Sequence, residues 1–176
     1  MNNYDIDTNE IESFLIDLQE NISSDFNEFE KNKFLKDDWK KQSDEKLKGN
    51  GRTRIIENGS VFERAGINYS HVFGKNLPPS ATSNRKELKG RSFEALGLSL
   101  VFHPYNPYIP TVHMNIRFFI AYPKKDSEDL VWWFGGGMDL TPYYIFEEDA
   151  RHFHAVCKKA LDCHSEKYYP KFKKNC

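Results

Sequence analysis

The chain has 176 residues, 39% of them hydrophobic and 15% aromatic, with 25 basic and 26 acidic side chains and a formal net charge of −1. This is enough length and apolar content for one domain with a core. The charge balance gives no electrostatic reason to expect nucleic acid or an acidic membrane surface as a partner, and no run approaches the roughly 20 apolar residues that span a bilayer.

The first ten residues, Met1 to Glu10, are polar and acidic, without the basic start and apolar core of a secretory signal or the arginines of a transit peptide. A cytoplasmic protein is the expectation. Ile11, Phe14, Leu15, Leu18 and Ile22 recur at helical spacing and predict an amphipathic helix. The stretch 31–48 is charge-rich, with only Phe34, Leu35, Trp39 and Leu47 to anchor it. Residues 1–48 therefore read as a helical region, separate from a sheet-and-helix region at 49–176. Gly49 to Arg52 reads as a flexible turn, 55–63 and 67–73 as short strands broken by Gly59 and Gly66, and the proline-containing 77–85 as loop.

Leu96 to Phe102 predicts a strand, with Leu98, Leu100 and Phe102 on one side and Ser99, Val101 and His103 on the other. The segment 103–110 has three prolines and cannot be regular. Residues 112–122 give the cleanest strand. Val112, Met114, Ile116, Phe118 and Ile120 form an apolar face opposite His113, Asn115 and Arg117. Residues 131–134 predict another strand running into Gly135-Gly136-Gly137, and 147–161 a helix entered through Thr141-Pro142. Strands are grouped between helices without alternation, which predicts an α+β fold with an antiparallel sheet.

Four groups of residues can carry chemistry. His113, Asn115 and Arg117 share one strand face: arginine pairs carboxylates, histidine moves protons near neutral pH, and the alternative is a wet outer face. Ser99 and His103 share the face of the preceding strand, roughly 13 Å apart, too far for a nucleophile pair but able to line one large ligand. Asp139, after the three glycines, reads as a ligand-binding carboxylate, a general base, or a capping or turn residue. His154 shares a helix face with Ala150, Phe153, Cys157 and Leu161 and is expected to point coreward. His103, His113 and His154 could together form a three-histidine metal site, although their spacing is no local metal motif. The three cysteines, Cys157, Cys163 and Cys176, form neither a disulfide framework nor a zinc knuckle and read as reduced thiols.

Four long runs of unusual composition carry a resemblance: GSVFERAGINYS at 59–70, GRSFEALGLS at 90–99, HPYNPYIPTVHMNIR at 103–117 and WWFGGGMDLTP at 132–142. In this order they resemble the oxygen-dependent coproporphyrinogen III oxidases, enzymes of haem biosynthesis, over the stretch from Gly51 to about Cys176. The resemblance implies a large antiparallel sheet flanked by helices, incomplete at the carboxyl-terminal end here because the family continues for more than a hundred residues. It implies a homodimer in the full-length family and oxidative decarboxylation of two propionates of coproporphyrinogen III to vinyl groups. That reaction gives protoporphyrinogen IX, CO2 and H2O2, with O2 as co-substrate, no organic cofactor and a disputed divalent metal. Carried over by position, Ser99, Asn115, Ile116, Arg117 and Asp139 match substrate-binding residues. His113 matches the proton donor, Asp139 a second catalytic group, and His103, His113 and His154 the proposed metal ligands. The competing readings are an inactive fragment that at most binds a porphyrin or a partner, and a histidine-metal hydrolase.

Overall fold

The structure is a computed structural model that describes residues 6–42, 46–83, 85–124 and 129–175. It opens with helix α1 (Thr8–Phe26), whose first turn is capped by the Asp7 carboxylate accepting the Asn9 N–H at 2.8 Å. Six strands follow: β1 (Leu35–Lys40), β2 (Leu47–Glu57), β3 (Phe62–Gly74), β4 (Phe93–Pro104), β5 (Thr111–Ala121) and β6 (Val131–Thr141). They pair antiparallel in chain order, a simple meander. A single helical turn, α2 (Pro79–Thr82), and a 3-10 turn at Lys86–Leu88 lie between β3 and β4, and helices α3 (Glu147–Asp162) and α4 (Tyr168–Asn175) close the chain. The α+β class with a helix-flanked antiparallel sheet is the fold expected. Among the described residues, no helix is long and apolar enough to cross a membrane.

One face of the sheet is covered by α1. Leu15, Gln19 and Ser23, four residues apart, form its buried seam. They meet a core of Ile67, Tyr69, Leu96, Leu98, Phe102 and Phe118. Gln19 ties helix to sheet: its Nε2 donates to the carbonyls of Arg52 at 2.8 Å and Ile67 at 2.7 Å. The Glu30 carboxylate, after the helix, accepts the backbone N–H groups of Ser60, Val61 and Phe62 at 2.5, 2.9 and 3.1 Å and so fixes the β2–β3 turn. Burial opposes its ionisation. The Ser60 hydroxyl and those backbone N–H groups outweigh burial and hold the carboxyl well below the usual carboxylate range.

Several local expectations are corrected. The supposed helical region 1–48 contains β1 and the start of β2. Gly49 to Arg52 is not a turn but the middle of β2, paired with Val72 to Tyr69. The glycine there has a packing reason: Trp39 lies across Gly51, where a Cβ would come within 2.2 Å of its ring. Gly66 does not break a strand either, since β3 runs through it; the turn is at 58–61, where Asn58 takes φ +52°. The 77–85 loop holds α2. Strand β6 continues through the three glycines to Thr141, because they pair with Arg117 to Asn115 of β5. Helix α3 starts after Phe146, not at Thr141-Pro142, and none of its residues is buried, so His154 is exposed instead of pointing coreward.

Candidate active site

The alternation of β3 to β6 sends a second set of side chains to the face opposite α1. Strand register stacks them into rows. Asn68, Ser99, Asn115 and Gly137 are successive cross-strand neighbours. The next row along the strands is Gly66, Val101, His113 and Asp139, and the row on the other side is Ser70, Gly97, Arg117 and Gly135. The floor is therefore made of small residues, with a few polar side chains standing on it. A Cβ on Gly135 or Gly137 would meet nothing within 4 Å, whereas one on Gly136, facing the other way, would reach the Asn115 carbonyl oxygen at 2.5 Å. Packing therefore requires the middle glycine only. The outer two keep space clear above the sheet.

His113 and Asp139 are joined across β5 and β6 by a hydrogen bond from His113 Nδ1 to Asp139 Oδ1 at 2.6 Å. The Thr141 hydroxyl donates to the same oxygen at 3.2 Å. A histidine that donates from Nδ1 to a carboxylate presents Nε2 for proton exchange. Asp139 keeps Oδ2 for another donor, and both side chains are partly open, 43% and 61% exposed. The capping alternative for Asp139 falls away, because the residue lies inside β6 and its oxygen is engaged across the sheet. His103 lies beside this pair, its ring centroid 6.2 Å from that of His113, with Nδ1 3.3 Å from the Thr111 hydroxyl.

Arg117 stands two rows along the strands from that pair, on a cleft of about 360 Å³ that Asn115, Arg85 and Trp133 also line. Among the described residues, no carboxylate pairs with Arg117. A second cleft, of about 290 Å³, lies at the other end of the floor, against Arg64, His103, Thr111 and Tyr143.

The structure thus brings together His103, His113, Asp139, Asn115, Arg117 and Ser99 on one face of the sheet, with Ser99 opposite Asn115. It leaves out two residues. The Ile116 side chain belongs to the α1 face, where it packs against the main core. His154 sits on α3 beside Phe153 and Tyr169. Among the described residues no three His, Cys, Asp or Glu side chains cluster as metal ligands would. The three-histidine set is therefore not assembled among the described residues. Cys157 fits a structural thiol: burial pushes its pKa up. Cys163 is exposed, with Sγ against the Ala160 carbonyl, and Cys176 lies outside the described residues.

The coproporphyrinogen III oxidase family matches residues 10–176, which contain every strand of this sheet and every side chain on its floor. The chain belongs to that family. The oxygen-dependent coproporphyrinogen-III oxidases of Francisella tularensis subspecies mediasiatica, holarctica and tularensis are each 53% identical to it over 169 residues, which is 94% of this chain and 54% of theirs. The chain spans about half the length of the curated relatives it matches.

Within this family member, the sequence reading missed four contributors to the floor and its walls. Asn68 is a polar residue between the buried Ile67 and Tyr69, and the alternation in β3 could have flagged it. Trp39 and the Arg85–Trp133 pair carry no such signal, since only the folded sheet brings them to the open face.

Proposed function

We propose that this chain supplies the substrate floor for oxygen-dependent oxidative decarboxylation of coproporphyrinogen III. The observation that supports it best is the shared open face: a carboxylate-bound histidine and an arginine with no carboxylate partner among the described residues, on a floor of glycine and small polar residues. The substrate is a flexible, electron-rich macrocycle with four acidic side chains, and the floor is open and cationic where Arg117 stands. Arg117 holds one propionate by paired hydrogen bonds. Asp139 accepts a pyrrole N–H on Oδ2 while Oδ1 keeps His113 in place, so the ring is drawn toward its electron-rich, deprotonated form and can react with O2 directly.

The balance for each propionate is closed by O2 and one proton. The β-carbon gives up a C–H electron pair with its hydrogen to O2. The carboxylate leaves as CO2, and the electrons of the broken C–C bond become the vinyl double bond. His113 delivers the proton that completes H2O2. Two rounds give protoporphyrinogen IX. Homodimerisation and a cytoplasmic location, both implied by the family, complete this reading.

A second reading is porphyrin binding without turnover. It is favoured by the bareness of the carboxyl-terminal side, where α3 has no buried residue and Trp132, Phe134 and Met138 of β6 are exposed. One assay separates the two: coproporphyrinogen III consumption under air, with protoporphyrin followed by fluorescence. Turnover that falls at least about a thousandfold in Asp139→Ala, with the melting temperature unchanged, supports the enzymatic reading. Turnover that survives the substitution contradicts the role of Asp139. A chain that binds the porphyrin but releases no CO2 supports the second reading.

A further inference from the structure

The cleft at the Arg117 end holds a second guanidinium that neither the sequence pattern nor the family resemblance assigned. We propose that Arg85 and Arg117 together form a carboxylate subsite, in which Arg85 receives a second acid side chain of the ligand whose first is held by Arg117. The identity of that ligand rests on the tetrapyrrole reading above; the carboxylate chemistry of the subsite rests on the cleft itself.

Arg85 Cζ lies 4.6 Å from the centroid of the Trp133 ring. Trp133 in turn stacks on Phe119, with centroids 5.2 Å apart and planes 6° from parallel. Phe119 is the next residue after Arg117 on the same face of β5, and Gly135, directly opposite Arg117, is the next after Trp133 on β6. The aromatic stack that carries Arg85 therefore lies about one strand step, ~7 Å, along the sheet from the row of Arg117. Gly135 leaves the space between them clear. The cleft, about 360 Å³, is lined by both arginines and, among the described residues, by no carboxylate. Two cations with no counter-charge among the described residues, in a space suited to side chains more than to a macrocycle, match two carboxyethyl groups of one ligand lying on the floor.

The competing role is a latch that holds the 79–88 segment on the sheet. That segment already has apolar anchors in Leu77 and Leu88, 6% and 0% exposed, packed with Phe93, Ala95 and Ala121. A latch needs no second arginine facing the same space.

The test is titration of the whole chain with coproporphyrin III and with its tetramethyl ester, followed by porphyrin absorbance, for the wild type, Arg85→Gln and Arg85→Lys. A parallel titration uses 3-phenylpropionate, followed by the indole N–H resonance of Trp133. In Arg85→Gln the acid porphyrin should bind roughly tenfold more weakly. The ester should bind as it does to wild type, Arg85→Lys should recover part of the loss, and the melting temperature should not move. Unchanged acid affinity in Arg85→Gln overturns the subsite and leaves the tetrapyrrole reading standing. Equal losses for acid and ester overturn it in favour of the latch. If the wild type shifts the Trp133 signal with 3-phenylpropionate, loses that response in Arg85→Gln and binds no porphyrin, the subsite stands and the tetrapyrrole reading falls. Binding of neither probe overturns both.

Discussion

The two faces of the sheet treat charge in opposite ways. Under α1, Arg54 is 2% exposed and paired through both terminal nitrogens, with Nη1 2.9 Å from Asp38 and Nη2 3.2 Å from Glu20. Both carboxyls answer to it. For Glu20, burial works against ionisation, but the Arg54 hydrogen bond and the charges of Lys36, Arg52 and Arg54 prevail and lower its pKa. For Asp38, the Arg54 hydrogen bond is the leading cause of a lowered pKa. His71 on the same face is held by Glu94 at 2.7 Å, and the buried Tyr69 hydroxyl donates to Glu12 at 2.8 Å. On the open face, Arg117 and Arg85 have no carboxylate partner among the described residues, and Asp139 uses one oxygen. Charges that are matched inside the fold serve stability, and charges left unmatched on a built floor are free to meet a ligand.

That contrast fails if substitutions on the two faces behave alike, so the α1 face should show the larger stability effects. Phe102→Ala should cost about 3–5 kcal/mol in chemical denaturation. Phe102 is 2% exposed and stacks on Phe26 of α1 with centroids 4.0 Å apart, so its loss opens a cavity between helix and sheet. A cost under about 1 kcal/mol would mean that α1 is not a structural layer.

Glu30→Gln comes next, at about 1–3 kcal/mol near neutral pH, because turn N–H groups lose a charged acceptor. The sign with pH follows from its lowered pKa. An ionised Glu30 stabilises the fold, and that stabilisation is fully present above the ordinary carboxyl value of 4.5 and is lost as the pH falls below it. In denaturation of wild type and variant from pH 7 to pH 3, the gap should therefore narrow below about pH 4.5. A gap that widens toward low pH would contradict the assignment.

Arg117→Gln should have the smallest effect on stability, within about 0.5 kcal/mol, because no partner is stranded when the guanidinium goes. A loss of 2 kcal/mol or more would place Arg117 among the structural charges and remove it from the floor.

Much of this contrast was legible in the sequence where a strand alternates cleanly. In β5, His113, Asn115 and Arg117 announced one face and Met114 and Phe118 the other, and the structure keeps that division. The same alternation warned that Ile116 faces away from its neighbours in the run 115–117. The reading failed where a strand was ended at glycine. Gly51, Gly66 and the run 135–137 lie inside strands, and what places them there is tertiary: a tryptophan lying over one and cross-strand pairing through the others. It failed again for α3, whose apolar stripe predicts burial although none of its residues is buried. The His113–Asp139 contact links residues 26 positions apart and depends on the β5–β6 register, which periodicity alone does not give.

The central claim is that the open face, and not a cavity in the core, is where the ligand lies. Gly137→Val tests it most directly, since the new side chain would stand in clear space on the floor and touch nothing that holds the fold. Coproporphyrin III titrated against wild type and variant, with melting curves alongside, gives the answer. The account predicts an affinity at least about tenfold weaker in the variant with unchanged melting. Equal affinity in both proteins would contradict it.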